Sequence, residues 1–592
     1  MEKRENIDPK YTWDLTRFYK SANEIDADIT KLQSLCKKIA SQKGKLNTSD
    51  ALFAYFKTDE EIGVLSEKMG AYLMLRLALD GKDQEALRYN SKLSTISTKM
   101  SEMLAFLPFE LAQNSDELYQ SLKNEKRFSD YDRDLDDLIR TKPHTLSEEK
   151  EKLLAGVAEF SCQGEVFDAM DNVDFKFEDI VKKDGTHMPL TNASYASLIS
   201  NDDADIRRQA FENIHKVFAG HNLSLSTIFI SMLKKCHFYS RQHNFNSKRE
   251  SKFFYDEIPE KILNVLTDAV NGGLGTYQDY LMLRKKVLGG TYHIYDNHVP
   301  IVKNAEIKPS YQEAIEIFKK SVACLGPRYA QYIDSQVANR YVDVFETENK
   351  DSGAFNADLN ICNPYVLLNF TPSFYWLGTL AHEFGHMVNT LLINDTQPMA
   401  KRGCSVFLAE IASTVNECLL YDYLLETTTD KDFEIFLLDK FLSEFNAAVF
   451  IQTMYTEFEI YVHGEVEKEN PLMYEDLNNY YDGLQQKYFG KNVERGELAK
   501  YGWSRIPHFY RPFYVYSYAT GFISACLIAS HIKKEGKPFA DKYIEFLSSG
   551  ESMDSISTLK KLGIDILDKK TFDEGFAIYR DRLNRLKKLM EK

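Results

Sequence analysis

Along most of the chain, apolar residues recur every three to four positions, the spacing of one face of an α-helix. Between 20 and 150 this repeat dominates. Ile25, Ile29, Leu32 and Leu35 step at helical intervals, and so do Leu52, Tyr55 and Phe56 behind the cap-like pair Ser49-Asp50. The same spacing predicts helices over 61–80, 83–105, 147–157 and 204–245. Three segments break the pattern. FDAMDNVDFKFEDIVKKDGTHMPLT (167–191) alternates apolar and polar residues around Asp184-Gly185, which predicts a hairpin. TYHIYDNHVPI (291–301) is a strand candidate, and 341–370 holds YVDVFE and PYVLLNF with polar residues and glycine between them. From Thr371 helical spacing returns almost to the end. With no internal repeat, low-complexity tract or Pro/Ser-rich linker, the expected organisation is a helical N-terminal domain (1–195) joined to a larger C-terminal domain (196–592).

Composition supports that picture and narrows the setting. Twenty-eight Gly and 15 Pro in 592 residues are too few for a turn-dense all-β fold, and 44% hydrophobic residues exclude a disordered chain. A net charge of −15 repels phosphate backbones, so no nucleic-acid partner is expected. The eight cysteines are scattered without a CxxC pair, as thiols in a reducing compartment would be. The opening MEKRENIDPKYTWDL has no apolar secretory core, and a cytoplasmic location is the expectation. The long uncharged run 512–531, PFYVYSYATGFISACLIASH, is crowded with Tyr, Ser and Thr before its first Gly. That suits a polar loop leading into a buried helix better than a membrane span.

Chemistry concentrates in His382-Glu383-Phe384-Gly385-His386, an HExxH motif. Thr371-Pro372-Ser373 offers an N-cap and an N1 proline, which places the motif mid-helix. Residues i and i+4 share a helix face, so both imidazoles can address one metal ion. Glu383, rotated about 100° from His382, falls beside that ion, where a base for a metal-bound water belongs. Two histidines and a carboxylate buried in so apolar a helix would be costly without such a partner. A catalytic zinc site needs a third protein ligand. Glu410, in CSVFLAEIASTVNE (404–417), lies 24 residues after His386 among Val406, Phe407, Leu408 and Ile411. Glu417, two turns on and near the same face, competes for the role, with orientation of a histidine as the preferred reading. Two histidines and a carboxylate suit zinc, with cobalt or manganese as possible substitutes.

The flanking segments add candidates. PYVLLNF (364–370) runs straight into the motif helix, and a strand there could offer a free edge to an extended peptide. Downstream, WSRIPHFYRPFYVYSYATG (503–521) packs phenols and an imidazole densely. Phenol O–H and imidazole N–H groups are the donors that stabilise an oxyanion, which singles out His508; Trp503 fits packing.

YTWDLTRFY (11–19), YLMLRKKVLGGTYHIYDNHVPI (280–301), SGAFN…PYVLLNF, TLAHEFGHM, FLAEIASTVNE and IPHFYRPFYVYSYATG together make the chain resemble oligoendopeptidase F, within the thimet-oligopeptidase-like (M3) zinc metallopeptidases. The resemblance spans nearly the whole chain. It implies His382, His386 and Glu410 as ligands of one zinc ion, Glu383 as catalytic base, and His508, Tyr510 and Tyr518 as transition-state contacts. The implied fold is a mainly α, elongated, two-part zincin with a deep substrate channel and a small β-sheet near the HExxH helix. Such a channel would admit short peptides, with 196–592 as the catalytic domain. One departure is Asn389, where relatives commonly carry another histidine.

The expected reaction is hydrolysis of internal peptide bonds in short oligopeptides by a zinc-activated water, with Glu383 as general base and then acid. A carboxypeptidase-like zinc exopeptidase and a non-catalytic peptide-binding protein with a vestigial site are the alternatives.

Overall fold

A computed structural model describes residues 2–158, 161–303 and 305–591. Helices dominate, and two small sheets complete the regular structure among these residues. By contacts the chain forms two compact units. The first comprises Met1–Leu154, Ile307–Tyr423 and Ile528–Gly563; the second comprises Ala155–Glu306, Leu424–Leu527 and Ile564–Lys592. Compactness and chain order therefore divide the protein differently, since each unit draws on three separated stretches on either side of residue 195.

Most expected helices form, with altered limits. One continuous helix, Ser49–Leu79, covers what sequence spacing suggested as two, and its cap is Thr48, whose side chain accepts the Ala51 N–H. The 204–245 segment is instead two helices, Ala204–Gly220 and Asn222–Gln242, parted at His221. The uncharged 512–531 run contributes to helix Tyr516–Glu535, with Ala519, Ile523, Ala525 and Ile528 buried. No helix among the described residues is long and apolar enough to cross a membrane.

Two strand expectations need correction. The hairpin exists but is short: β1 (Ile180–Val181) pairs antiparallel with β2 (His187–Met188) around Gly185 at φ +82°. The preceding residues are helical over Gln163–Ala169 and continue as a π-turn over Met170–Asp174, because Phe167 and Met170 pack at helical spacing into the core of the second unit. The 291–301 candidate is a 3-10 turn, Ile294–His298, with a single bridge from His293 to Glu494. Asp296 decides this. Its carboxylate accepts the His293 N–H at 2.8 Å and is paired with the buried Arg207 at 2.7 Å, interactions unavailable to an isolated strand.

In the first unit, β3 (Val342–Asp343), β4 (Phe355–Ala357) and β5 (Tyr365–Leu367) form a sheet of order β3-β5-β4. β5 runs parallel to β3 and antiparallel to β4. The sheet is held from the N-terminus. Trp13 Nε1 donates to the carbonyls of Tyr341 and Val366, and the Trp13 main-chain N–H donates to the buried Asp343 carboxylate. Because β5 is paired on both sides, the free edge expected within 364–370 does not exist there. β3 and β4 are the edge strands, and of these β4, with β5, lies against the HExxH helix.

Candidate metal centre

The motif helix runs Phe374–Thr396. Ser373 caps it, its Oγ accepting the Trp376 N–H at 3.2 Å, so Pro372 precedes the cap instead of occupying N1. Leu377, Leu380, Ala381 and Phe384 are fully buried and fix the helix rotation. The chain returns along helix Val406–Thr427. The two helices meet at Gly385, where a Cβ would lie 2.6 Å from Ser413 Cα and 3.0 Å from the Ala412 carbonyl oxygen. Nothing in the spacing of HExxH marks that glycine. Asn416, fully buried, donates to the Tyr329 hydroxyl at 2.8 Å and to the Ala381 carbonyl at 3.3 Å, tying the return helix to the motif helix.

This crossing brings His382, His386 and Glu410 together, the group of three His, Cys, Asp or Glu side chains among the described residues that could share one metal ion. The Nε2 atoms of the two histidines are 3.2 Å apart, and Glu410 Oε2 lies 3.6 Å from His382 Nε2 and 3.9 Å from His386 Nε2. A circle through those three atoms has a radius of roughly 2.1 Å, the length of a zinc–nitrogen or zinc–oxygen bond. Two facing imidazole nitrogens this close need a cation or proton between them. The side chains present therefore fit a zinc ion.

Glu417 sets the orientation. Its Oε1 lies 2.5 Å from His382 Nδ1, and a carboxylate oxygen can only accept, so Nδ1 carries a proton and Nε2 is the nitrogen that faces the cluster. His386 Nδ1 is buried without a hydrogen-bond partner among the described residues, which leaves Nε2 as its working nitrogen. Burial opposes protonation of His382, but the Glu417 hydrogen bond and charge, with Glu383 and Glu410, hold it up at about 9. Burial and the neighbouring His382 charge push His386 down to about 3. Glu383 is 8% exposed, and burial raises its carboxyl to about 7 against the opposing His382 charge. The Asn356 main chain, on β4, opposes that rise and favours the charged carboxylate. Asp358 Oδ1 accepts from both Asn356 Nδ2 and Thr390 Oγ1, securing the end of β4 to the motif helix one turn beyond His386. Asn389, the departure noted in the sequence, donates to the Leu547 carbonyl at 2.7 Å as a buried packing link.

The aromatic segment belongs to the second unit. It passes through 3-10 turns, Ala499–Arg505 and Pro507–Tyr510, before helix Tyr516–Glu535. Tyr518 Oη lies 3.3 Å from His508 Nε2. The Tyr514 ring is parallel to His508 at 6.2 Å and meets Tyr518 edge-on at 5.4 Å. Burial and the Arg511 charge lower the His508 pKa, which favours the neutral imidazole. Tyr510 turns elsewhere, stacking on Phe167 at 4.7 Å and meeting Phe229 at 5.9 Å. Trp503 is a packing residue, buried against Phe229 and Phe458 with Nε1 donating to Asn478 at 2.8 Å.

Comparison with known proteins gives the family. The model of peptidase family M3 matches residues 197–578, and that of oligopeptidase F matches 110–177. The chain belongs to peptidase family M3. As an M3 member it is a metallopeptidase, and its relatives match it end to end. Oligopeptidase PepF of Bacillus subtilis (strain 168) is 32% identical over 100% of this chain and 88% of its own length. An oligoendopeptidase F homolog of Borreliella burgdorferi is also 32% identical, over 100% of both chains. Among solved structures, a putative peptidase from Chlamydophila abortus superposes with a TM-score of 0.91 at 26% identity, covering 99% of this M3 peptidase and 100% of that chain. Oligoendopeptidase-F from Enterococcus faecium gives 0.75 at 27% identity, covering 96% and 99%.

Proposed function

We propose that this M3 peptidase is a zinc-dependent endopeptidase that cuts internal bonds of short oligopeptides. His382, His386 and Glu410 hold one zinc ion, and Glu383 is the general base. The observation that carries the reading is the triangle of donor atoms with edges of 3.2, 3.6 and 3.9 Å, which matches the reach of one zinc ion.

When bound, zinc supplies Lewis acidity that acidifies a water and polarises the scissile carbonyl. The chain's own groups do the rest. Glu417 keeps the proton on His382 Nδ1, so Nε2 stays available as a ligand. The Asn356 main chain, on β4, favours the charged form of Glu383 that a base needs. Glu383 takes a proton from the attacking water and delivers it to the nitrogen of the leaving amine as the C–N bond breaks. β4, the sheet edge beside the motif helix, is the strand left for pairing with an extended peptide. His508 and Tyr518, which touch each other, are assigned as donors to the carbonyl oxygen as it gains negative charge, and Tyr510 is left to packing. The printed names of the relatives, oligopeptidase and oligoendopeptidase, support oligopeptides as the substrate class. Scattered cysteines without a CxxC pair support a reducing, cytoplasmic setting.

An internally quenched peptide blocked at both ends tests this directly. Cleavage that is abolished by a chelator and restored by zinc is the expected result. Activity confined to peptides with a free terminus would establish the exopeptidase alternative, and zinc-loaded protein that binds but never cleaves would establish the binding-protein alternative.

A further inference from the structure

The segment that runs from His508 to Tyr518 is anchored by a buried acid that the proposed chemistry does not use. In the second unit, helix Gln452–Glu467 holds Glu459 at 1% exposure. Its Oε1 accepts the main-chain N–H of Phe513 at 2.8 Å, while Oε2 is buried without a partner among the described residues. Phe513 stands at φ +54°, the left-handed region that a bulky side chain avoids. Such a conformation persists only where its surroundings over-determine it. Three contacts do so here. Glu459 holds the N–H, and the ring of His463, one turn further along the same helix, lies 4.7 Å from the Phe513 ring. The Phe253 ring approaches from another helix at 6.1 Å. The next residue, Tyr514, packs on both His508 and Tyr518. Burial pushes the Glu459 carboxyl up to about 8, and a neutral acid at this site avoids the cost of a buried charge.

We infer that Glu459 is a positioning residue for peptide hydrolysis: through the Phe513 main chain it sets the loop that presents His508 and Tyr518 to the substrate. This rests on the assignment of those two side chains as oxyanion donors. A reversed backbone one residue before Tyr514 converts a lost hydrogen bond into a displaced Tyr514, and with it the packing that holds His508 against Tyr518.

The test compares wild type with Glu459→Gln, Glu459→Leu, His508→Ala and the His508→Ala/Glu459→Leu double variant. For each, kcat and KM on the doubly blocked quenched peptide are measured together with zinc content and thermal unfolding. Gln retains an oxygen acceptor and should keep kcat within about threefold, whereas Leu should lower it at least about tenfold with KM and zinc content unchanged. In the double variant the further loss caused by Glu459→Leu should be clearly smaller than the loss it causes in wild type, because His508, one of the two donors through which Glu459 acts, is already gone. If Glu459→Leu does not fold, Glu459→Asp, which retracts the carboxyl by about 1.5 Å, is read the same way. Full turnover by Glu459→Leu beside a crippled His508→Ala overturns the Glu459 role alone. Losses that simply add in the double variant also overturn it, since they would mark a merely structural residue. Full turnover by His508→Ala overturns the loop assignment and this inference with it.

Discussion

Replacing Gly385 by Ala probes how strongly the metal site depends on the close crossing of two helices. The added Cβ would stand 2.6 Å from Ser413 Cα, 3.0 Å from the Ala412 oxygen and 3.1 Å from Asn416 Nδ2. Carbon atoms in ordinary contact sit about 3.5–4.0 Å apart, so the helices must part by about 1 Å. The nearest obstacles are backbone atoms, and no flexible side-chain end can yield in their place. Glu410 lies three residues before Ser413 on the same helix and moves with it. Its oxygen, now 3.6 and 3.9 Å from the two imidazole nitrogens, would retreat toward about 4.5–5 Å. Two donors bound to one zinc at about 2.1 Å cannot be more than about 4.2 Å apart, so Glu410 would drop out or bind with strain. The expected loss in zinc affinity is at least tenfold, about 1.4 kcal/mol. Overpacking adds roughly 1–3 kcal/mol of destabilisation, offset in part by the better helix propensity of Ala, about 1 kcal/mol. Competition with a chromophoric chelator measures the first term, and thermal unfolding with and without zinc measures the second. A Gly385→Ala protein with wild-type zinc affinity and turnover would refute the link between helix approach and ligand geometry.

Three further outcomes follow from the same geometry. Glu417→Gln should weaken zinc binding by roughly 10- to 100-fold, since an amide oxygen holds the His382 Nδ1–H less strongly than a carboxylate; an unchanged chelator titration would remove Glu417 from the site. Glu459, held at about 8 in the fold against an ordinary 4.5, keeps a proton that the unfolded chain releases, so its contribution is complete below pH 4.5 and is lost as pH rises to about 8. Glu459→Gln should therefore gain on wild type by up to roughly 3–4 kcal/mol between pH 5 and 8 in urea unfolding, and a pH-independent difference would contradict the buried neutral acid. Tyr518→Phe, which removes the hydroxyl beside His508, should lower kcat by roughly 10- to 100-fold with KM little changed; a rise in KM alone would assign Tyr518 to substrate binding.

How much of this was legible beforehand depends on the range of the interaction concerned. His382 and His386 were visible because four residues of helix put them on one face. Glu410 and Glu417 were visible as carboxylates within an apolar helical run, where burial demands a partner. The long helices followed from local spacing, although the break at His221 and the continuity of Ser49–Leu79 did not. What stayed hidden was tertiary. Gly385 matters because of the Ser413 backbone 28 residues away, and Asp358 matters because it ties the end of β4 to Thr390 on the motif helix. The edge assigned to 364–370 passed to β4 once β5 proved to be paired on both sides. Asp296 turned a strand candidate into a 3-10 turn by pairing with Arg207 from 89 residues upstream. Glu459 had a signal that went unread: it stands among Phe458, Ile460 and Val462, as Glu410 does among its own apolar neighbours.

The central claim is that Glu383 moves the proton at a zinc site formed by His382, His386 and Glu410. Glu383→Gln, analysed for zinc per chain and for turnover of the doubly blocked quenched peptide, tests it most directly. The account predicts close to one zinc per chain, with turnover reduced by roughly 10²- to 10⁴-fold. Near-wild-type cleavage by the zinc-loaded variant would contradict it.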